Sequence, residues 1–184
     1  MSKASNAELP KTVDPYRLAE QNSTLEGAIP LSGLSRFREA VLGFSENAAC
    51  WVKLSFYMDS ERRRVVSGEL EAPVELECQR CMGAMSVTLV SRFTLGLVTS
   101  DRQAKQLPNE LEPYLTDDFS ADLWSMAEDE LLLVLPAFPL HDRNECPARE
   151  DLEAYEPDGS AVKPVRKSGE NPFSVLADLK KKTH

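Results

Sequence analysis

Histidine is nearly absent from this chain: His141 and the terminal His184 are its only two. A Ser–His or Cys–His nucleophile would have to be built on His141 alone. Glycine is also scarce, at eight residues. Neither G-x-x-x-x-G-K-S/T nor G-x-G-x-x-G occurs, so no phosphate-cradling loop and no small-molecule substrate are expected. No G-x-S-x-G is present. Carboxylates abound, but an acidic chain offers accidental pairs, and no acid–base catalyst is read from them. The sequence points away from an enzyme.

Long apolar runs are missing too. The longest, Leu131–Val134 with Leu135-Pro136-Ala137-Phe138 behind it, falls far short of the roughly 18–20 residues that cross a bilayer. Met1-Ser2-Lys3-Ala4-Ser5-Asn6 lacks the apolar stretch of a secretory signal. A cytoplasmic location without a membrane partner is expected, where four cysteines stay reduced or metal-bound. Basic residues are outnumbered, 21 to 30, giving a net charge of −9. The deficit is uneven: residues 98–158 carry 4 basic and 16 acidic groups, and residues 159–184 carry 6 and 2. Broad nucleic-acid coating is excluded, because it needs Lys and Arg over one whole surface. A local basic patch is not. The acidic middle reads as a solvated face rather than a dock for a basic partner.

What is present is a β-rich middle. Residues 50–58, 65–71, 73–78 and 85–97 alternate apolar and polar positions with short connections between them, which predicts an antiparallel meander over about residues 50–98. A helix over about 120–135 carries Leu123, Ala127, Leu131 and Val134 on one stripe, and Pro136 and Pro139 stop it. Asp14-Pro15 has the form of an N-cap followed by proline at the first helical position, and Pro30–Leu42 is a weaker helical stretch. Thr99–Thr116 is polar, with two prolines, and reads as a surface loop. The sum is an α+β fold, a sheet covered by one main helix. Residues 1–12 read as a flexible lead-in, 13–140 as a single domain, and 141–184 as an acidic and polar tail that ends in a short amphipathic helix.

Cys78-Gln79-Arg80-Cys81 sits where one strand ends and the next begins. Three readings stay open. In the first, Cys78 points into the core and Cys81 lies on the turn, without metal. In the second, both are half of a zinc site completed by His141 and Cys146, stapling a loop to the sheet, with Gly83 relieving crowding near the sulfurs. In the third they are a redox pair, but such a pair normally opens a helix whose dipole lowers a thiol pKa, and alternation follows here instead. No cofactor is required by the sequence; structural zinc is the one candidate. Cys50 begins a strand and reads as a small core residue.

Arg62, Arg63, Arg64 and Arg80 stand on turns of the meander. They are read either as solvated turn residues or as contacts to RNA phosphate or an acidic partner. Phe173, Leu176 and Leu179 share a helical face ahead of Lys180-Lys181-Lys182. That face docks either on its own domain or in a partner's groove.

Four stretches together resemble the bacterial YceD family of large ribosomal RNA subunit accumulation proteins. They are Val13-Asp14-Pro15; Leu76-Glu77-Cys78-Gln79-Arg80-Cys81; residues 128–136 running into Pro139-Leu140-His141-Asp142; and residues 171–180. The resemblance implies a cytoplasmic ribosome-biogenesis factor needed for accumulation of 23S ribosomal RNA, through its synthesis, processing or protection. It brings no catalytic residues. The partner it implies is precursor 23S rRNA, a ribosomal protein or an assembly factor. The alternative is an adaptor that docks an RNase or assembly factor through its C-terminal helix. Some family members are similar to zinc-ribbon proteins after the main helix, with several cysteines where this chain has His141 and Cys146.

Overall fold

Val66, Leu70, Ala72, Val74 and Leu76 are buried in strict alternation straight through Pro73. The sequence suggests a break there. In the computed structural model of the chain, which describes residues 7–117 and 119–155, the stretch is one strand of 14 residues. Its neighbour on one side pairs with it only as far as Trp51↔Glu71. Beyond that point the missing N–H of Pro73 leaves no bond unmade on that side.

In chain order the elements are β1 (Thr12–Val13), α1 (Pro15–Glu20), β2 (Thr24–Pro30), a 3-10 turn (Leu31–Gly33), α2 (Ser35–Ala40), β3 (Ala49–Met58), β4 (Arg64–Glu77), β5 (Ala84–Val98), α3 (Asp101–Ala104), β6 (Glu112–Leu115), β7 (Ala121–Asp122), α4 (Leu123–Leu133) and α5 (Arg149–Tyr155). The main sheet has the order β2-β3-β4-β5-β6. Its first four strands form the antiparallel meander, and β6 joins parallel to β5. The fold is α+β.

Two strands go beyond the meander expected over about 50–98. β2 hides behind Gly27, which interrupts the alternation of Leu25 and Ile29. Gly27 is required there because the chain at Ala7–Leu9 crosses close above it. A Cβ at position 27 would stand 2.8 Å from the Ala7 carbonyl oxygen. β6 lies within the polar stretch expected as a loop, and its Pro113, opposite Gly96, is tolerated on an edge strand.

α1 forms as its Asp-Pro start predicts: Asp14 Oδ1 accepts from the N–H groups of Tyr16 and Arg17, each at 3.0 Å. Asp122 does the same for α4, accepting from Trp124 and Ser125. The short strands that lead into these helices, β1 ending just before Asp14 and β7 ending on Asp122, pair with each other, so both helices leave from one small ribbon. The helical stretch read over 30–42 is shorter than expected, a 3-10 turn and the six residues of α2. α2 has no cap from its own sequence; Glu128 of α4 supplies one, its Oε1 accepting from Arg36 N–H at 2.7 Å and Phe37 N–H at 3.1 Å.

Leu123, Met126, Ala127 and Leu131 of α4, together with Phe37 of α2, close over the sheet face made by Val52, Leu54, Phe56, Val66, Leu70 and Leu89. Each such buried side chain contributes about 1.5–3 kcal/mol, so this core carries the fold. Leu9, within the expected lead-in, is 2% exposed and belongs to it. Cys50 is a core residue as expected, its thiol pushed up to about 12 by burial.

The chain divides into two units after Cys146. Within the second, α5 carries an ion pair between Arg149 and Glu153 at 2.8 Å. No helix among the described residues is long and apolar enough to cross a membrane.

Candidate metal centre

β4 and β5 are joined by Cys78–Gly83, and backbone bonds close this turn on itself. Cys78 N–H donates to the Gly83 carbonyl at 2.9 Å and Met82 N–H to the Cys78 carbonyl at 2.8 Å. Met82 takes the left-handed conformation, with φ 57°. Gly83 does not, and a Cβ there would meet Cys81 Sγ at an ordinary 3.5 Å. The glycine is therefore not what relieves this turn; the strained position is one residue earlier.

Beyond α4, prolines 136 and 139 turn the chain back across the turn. Gln79 N–H donates to the Pro139 carbonyl at 2.9 Å, and its side-chain amide to the Ala137 carbonyl at 3.3 Å. Asp142 then forms a local turn, accepting from Asn144 N–H, that delivers Cys146. The result brings Cys78, Cys81, His141 and Cys146 together, one donor atom from each, all within 4.8 Å of one another. Cys78 and Cys146 are buried, yet neither belongs to the main apolar core.

The imidazole has a defined orientation. Its Nε2 lies 3.2 Å from the Ala84 carbonyl oxygen, which can only accept, so Nε2 carries the proton. Nδ1 faces the sulfurs, 3.4 Å from Cys81 Sγ. A backbone carbonyl fixing the far nitrogen is the usual support of a metal-binding histidine. Burial raises the Cys78 thiol, but the N–H groups of Cys81, His141 and Arg80 outweigh it and hold its pKa down at about 5. At Cys81 the Gly83 N–H acts downward, while burial and the sulfurs of Cys78 and Cys146 prevail and raise it.

Three thiols and an imidazole form a soft, four-donor set. Zinc–sulfur bonds of about 2.3 Å in a tetrahedron would separate sulfurs by roughly 3.8 Å, within the spread found here. These four residues could hold a metal ion, and all the donors of a closed site would come from the protein. The turn leads into a strand, as the sequence indicates, and not into the helix that activates a redox pair.

Of the four arginines only Arg80 stands at this site. Arg62, Arg63 and Arg64 lie at the other end of β4, roughly 40 Å away at about 3.3 Å per residue. Arg63 bonds Asp59 at 2.6 Å and Glu61 at 3.0 Å. Arg64 bonds Glu20 at 2.9 Å and lies over the Tyr16 ring. Arg62 is exposed at φ 62°. Arg80, between the cysteines, has Nη1 buried without a hydrogen-bond partner. Phe173, Leu176 and Leu179 lie outside the described residues. The sequence does not single out Tyr16, Arg17 or Phe119, which stand around the arginine turn but come from distant segments.

Two comparisons place the chain among known proteins. The family described as "Large ribosomal RNA subunit accumulation protein YceD" matches residues 66–180. A protein of Haemophilus influenzae bearing that same name is 38% identical over 177 residues, covering 95% of this chain and 97% of its own length. No solved structure gives a significant match. The family match takes in β5, most of β4, the cysteine turn and the strap, the relative's likeness extends over the rest of the meander, and the chain belongs to the YceD family.

Proposed function

We propose that this chain is a non-enzymatic cytoplasmic factor for accumulation of large-subunit (23S) ribosomal RNA, acting by binding precursor rRNA or a ribosomal protein. The observation that carries the non-enzymatic part is the closed Cys78/Cys81/His141/Cys146 set. A catalytic zinc keeps a position open for water or substrate, whereas a four-donor protein site is structural. In this reading zinc pins the strap of residues 137–146 to the β4–β5 turn and fixes where Arg80 is presented. The process itself is supported by the name of the H. influenzae relative and by how much of both chains the likeness covers.

The test is deletion of the gene followed by measurement of the 23S to 16S rRNA ratio, with complementation. A several-fold fall, restored by the wild-type chain and not by Cys81→Ser, is expected. An unchanged ratio after deletion contradicts the reading. Crosslinking in cells then separates partners: enrichment of 23S precursor supports RNA, and enrichment of one ribosomal protein without RNA supports the protein contact.

A further inference from the structure

At the end of the sheet opposite the cysteines, α1, the β3–β4 turn and the segment carrying Phe119 surround a cleft of about 600 Å³. Four arginines line it: Arg17, Arg62, Arg63 and Arg64. Three carboxylates line it as well, and each is committed. Asp14 caps α1, Glu20 bonds Arg64, and Glu61 bonds Arg63. Arg17 and Arg62 are exposed and have no ion pair among the described residues. In a chain of net charge −9, the sign of charge is inverted here.

The cleft also holds a graded aromatic wall. The Arg64 guanidinium sits 4.8 Å from the Tyr16 ring centroid, and Tyr16 meets Phe119 edge to face at 5.8 Å. Phe119 is 71% exposed. Arg64 Nε is buried with no hydrogen-bond partner. Arg62 occupies the left-handed place in its turn, φ 62°, where Asp59 Oδ1 accepts from Glu61 and Arg63 N–H groups. Glycine suits that place better in a short hairpin loop, and the guanidinium is kept there against backbone preference.

We infer that this cleft binds single-stranded RNA, with phosphate held by Arg17 and Arg62 and a base stacked on Phe119. The inference rests on the rRNA reading above and adds a site to it. Unpaired guanidiniums beside an exposed ring are how single strands are held without sequence preference. An acidic peptide would use the guanidiniums but leave the ring idle. The cleft has room for a nucleotide and its neighbouring phosphate.

The test uses the full chain and a fluorescein-labelled single-stranded RNA of about 12 nucleotides, followed by anisotropy across a salt series. The variants are Arg17→Ala, Arg62→Gly, their double, and Phe119→Ala, with Arg38→Ala, outside the cleft, as control. Arg62→Gly relieves its backbone, so lost binding there cannot be ascribed to unfolding. We expect the double variant to bind at least tenfold more weakly, with a salt slope reduced by about 1.4. Phe119→Ala should weaken binding with little change in slope, and the control should behave as wild type. Wild-type levels of binding in the double variant overturn the cleft. So does tighter binding of a polyglutamate peptide than of the RNA, or no RNA binding by the wild-type chain. The rRNA reading falls separately, only if deletion leaves the 23S to 16S ratio unchanged.

Discussion

His141 Nδ1 faces Cys81 Sγ at 3.4 Å while its Nε2 donates to the carbonyl of Ala84. One ring thus joins the strap after α4 to Cys81 in the β4–β5 turn and to Ala84 at the start of β5, while the His141 N–H donates to Cys78 Sγ at 3.4 Å. Its tautomer is set by a backbone atom that can only accept. Cys78 and Cys146 complete the set from either side, so residues 60 or more apart in sequence depend on one another for their positions.

A carboxylate sustains a neighbouring helix in a comparable way. Glu128 receives Arg36 N–H, Phe37 N–H and Arg36 Nε. Glu128→Ala leaves two amides at the start of α2 without a partner, at a cost of about 1–3 kcal/mol. Urea unfolding should show that loss as a lower midpoint with an unchanged slope. A midpoint equal to wild type would show that α2 does not need the cap.

Glu130 is buried on α4, and burial first, then Glu112 nearby, hold its pKa above the ordinary carboxylate value; Ser91 partly offsets this. With a raised pKa in the folded state, the protonated form favours folding. That contribution is full below the unfolded pKa and is lost as pH rises through the folded value. Glu130→Gln should therefore raise the thermal midpoint at pH 7 by roughly 2–4 °C, with the gain fading toward pH 4. A gain that persists unchanged at pH 4 would contradict this.

Met82 holds the left-handed position in the cysteine turn at φ 57°. Met82→Gly should stabilise the protein by about 1 kcal/mol, whereas Gly83→Ala should leave stability within about 0.5 kcal/mol. Chemical denaturation of the two variants side by side decides between the positions. The opposite order would place the strain at Gly83.

Much of this was legible in the sequence where the signal is local. Period-two alternation marks β3, β4 and β5, and Asp14-Pro15 marks the start of α1. Cys78, Cys81, His141 and Cys146 could be paired because soft donors are so few that little else could complete the set. Partnerships between distant segments were not legible. Nothing in Thr24–Pro30 announces a strand, since Gly27 breaks its period to admit the backbone of Ala7. Glu128 looks like one more surface carboxylate until α2 is placed against it. Arg62, Arg63 and Arg64 look like one patch with Arg80, but a strand of 14 residues separates them. The cleft beside them draws Tyr16, Arg17 and Phe119 from segments that no spacing rule connects.

Zinc content of the purified, reduced full-length chain, measured beside Cys81→Ser and His141→Ala, decides whether the cysteine turn and the strap hold a metal ion. One zinc per chain in the wild type and a loss of most of it in either variant is the predicted result, with a fall in thermal midpoint on chelation in the wild type alone. A wild-type chain that folds without metal, takes up none when zinc is supplied, and leaves Cys81 open to thiol titration would contradict it.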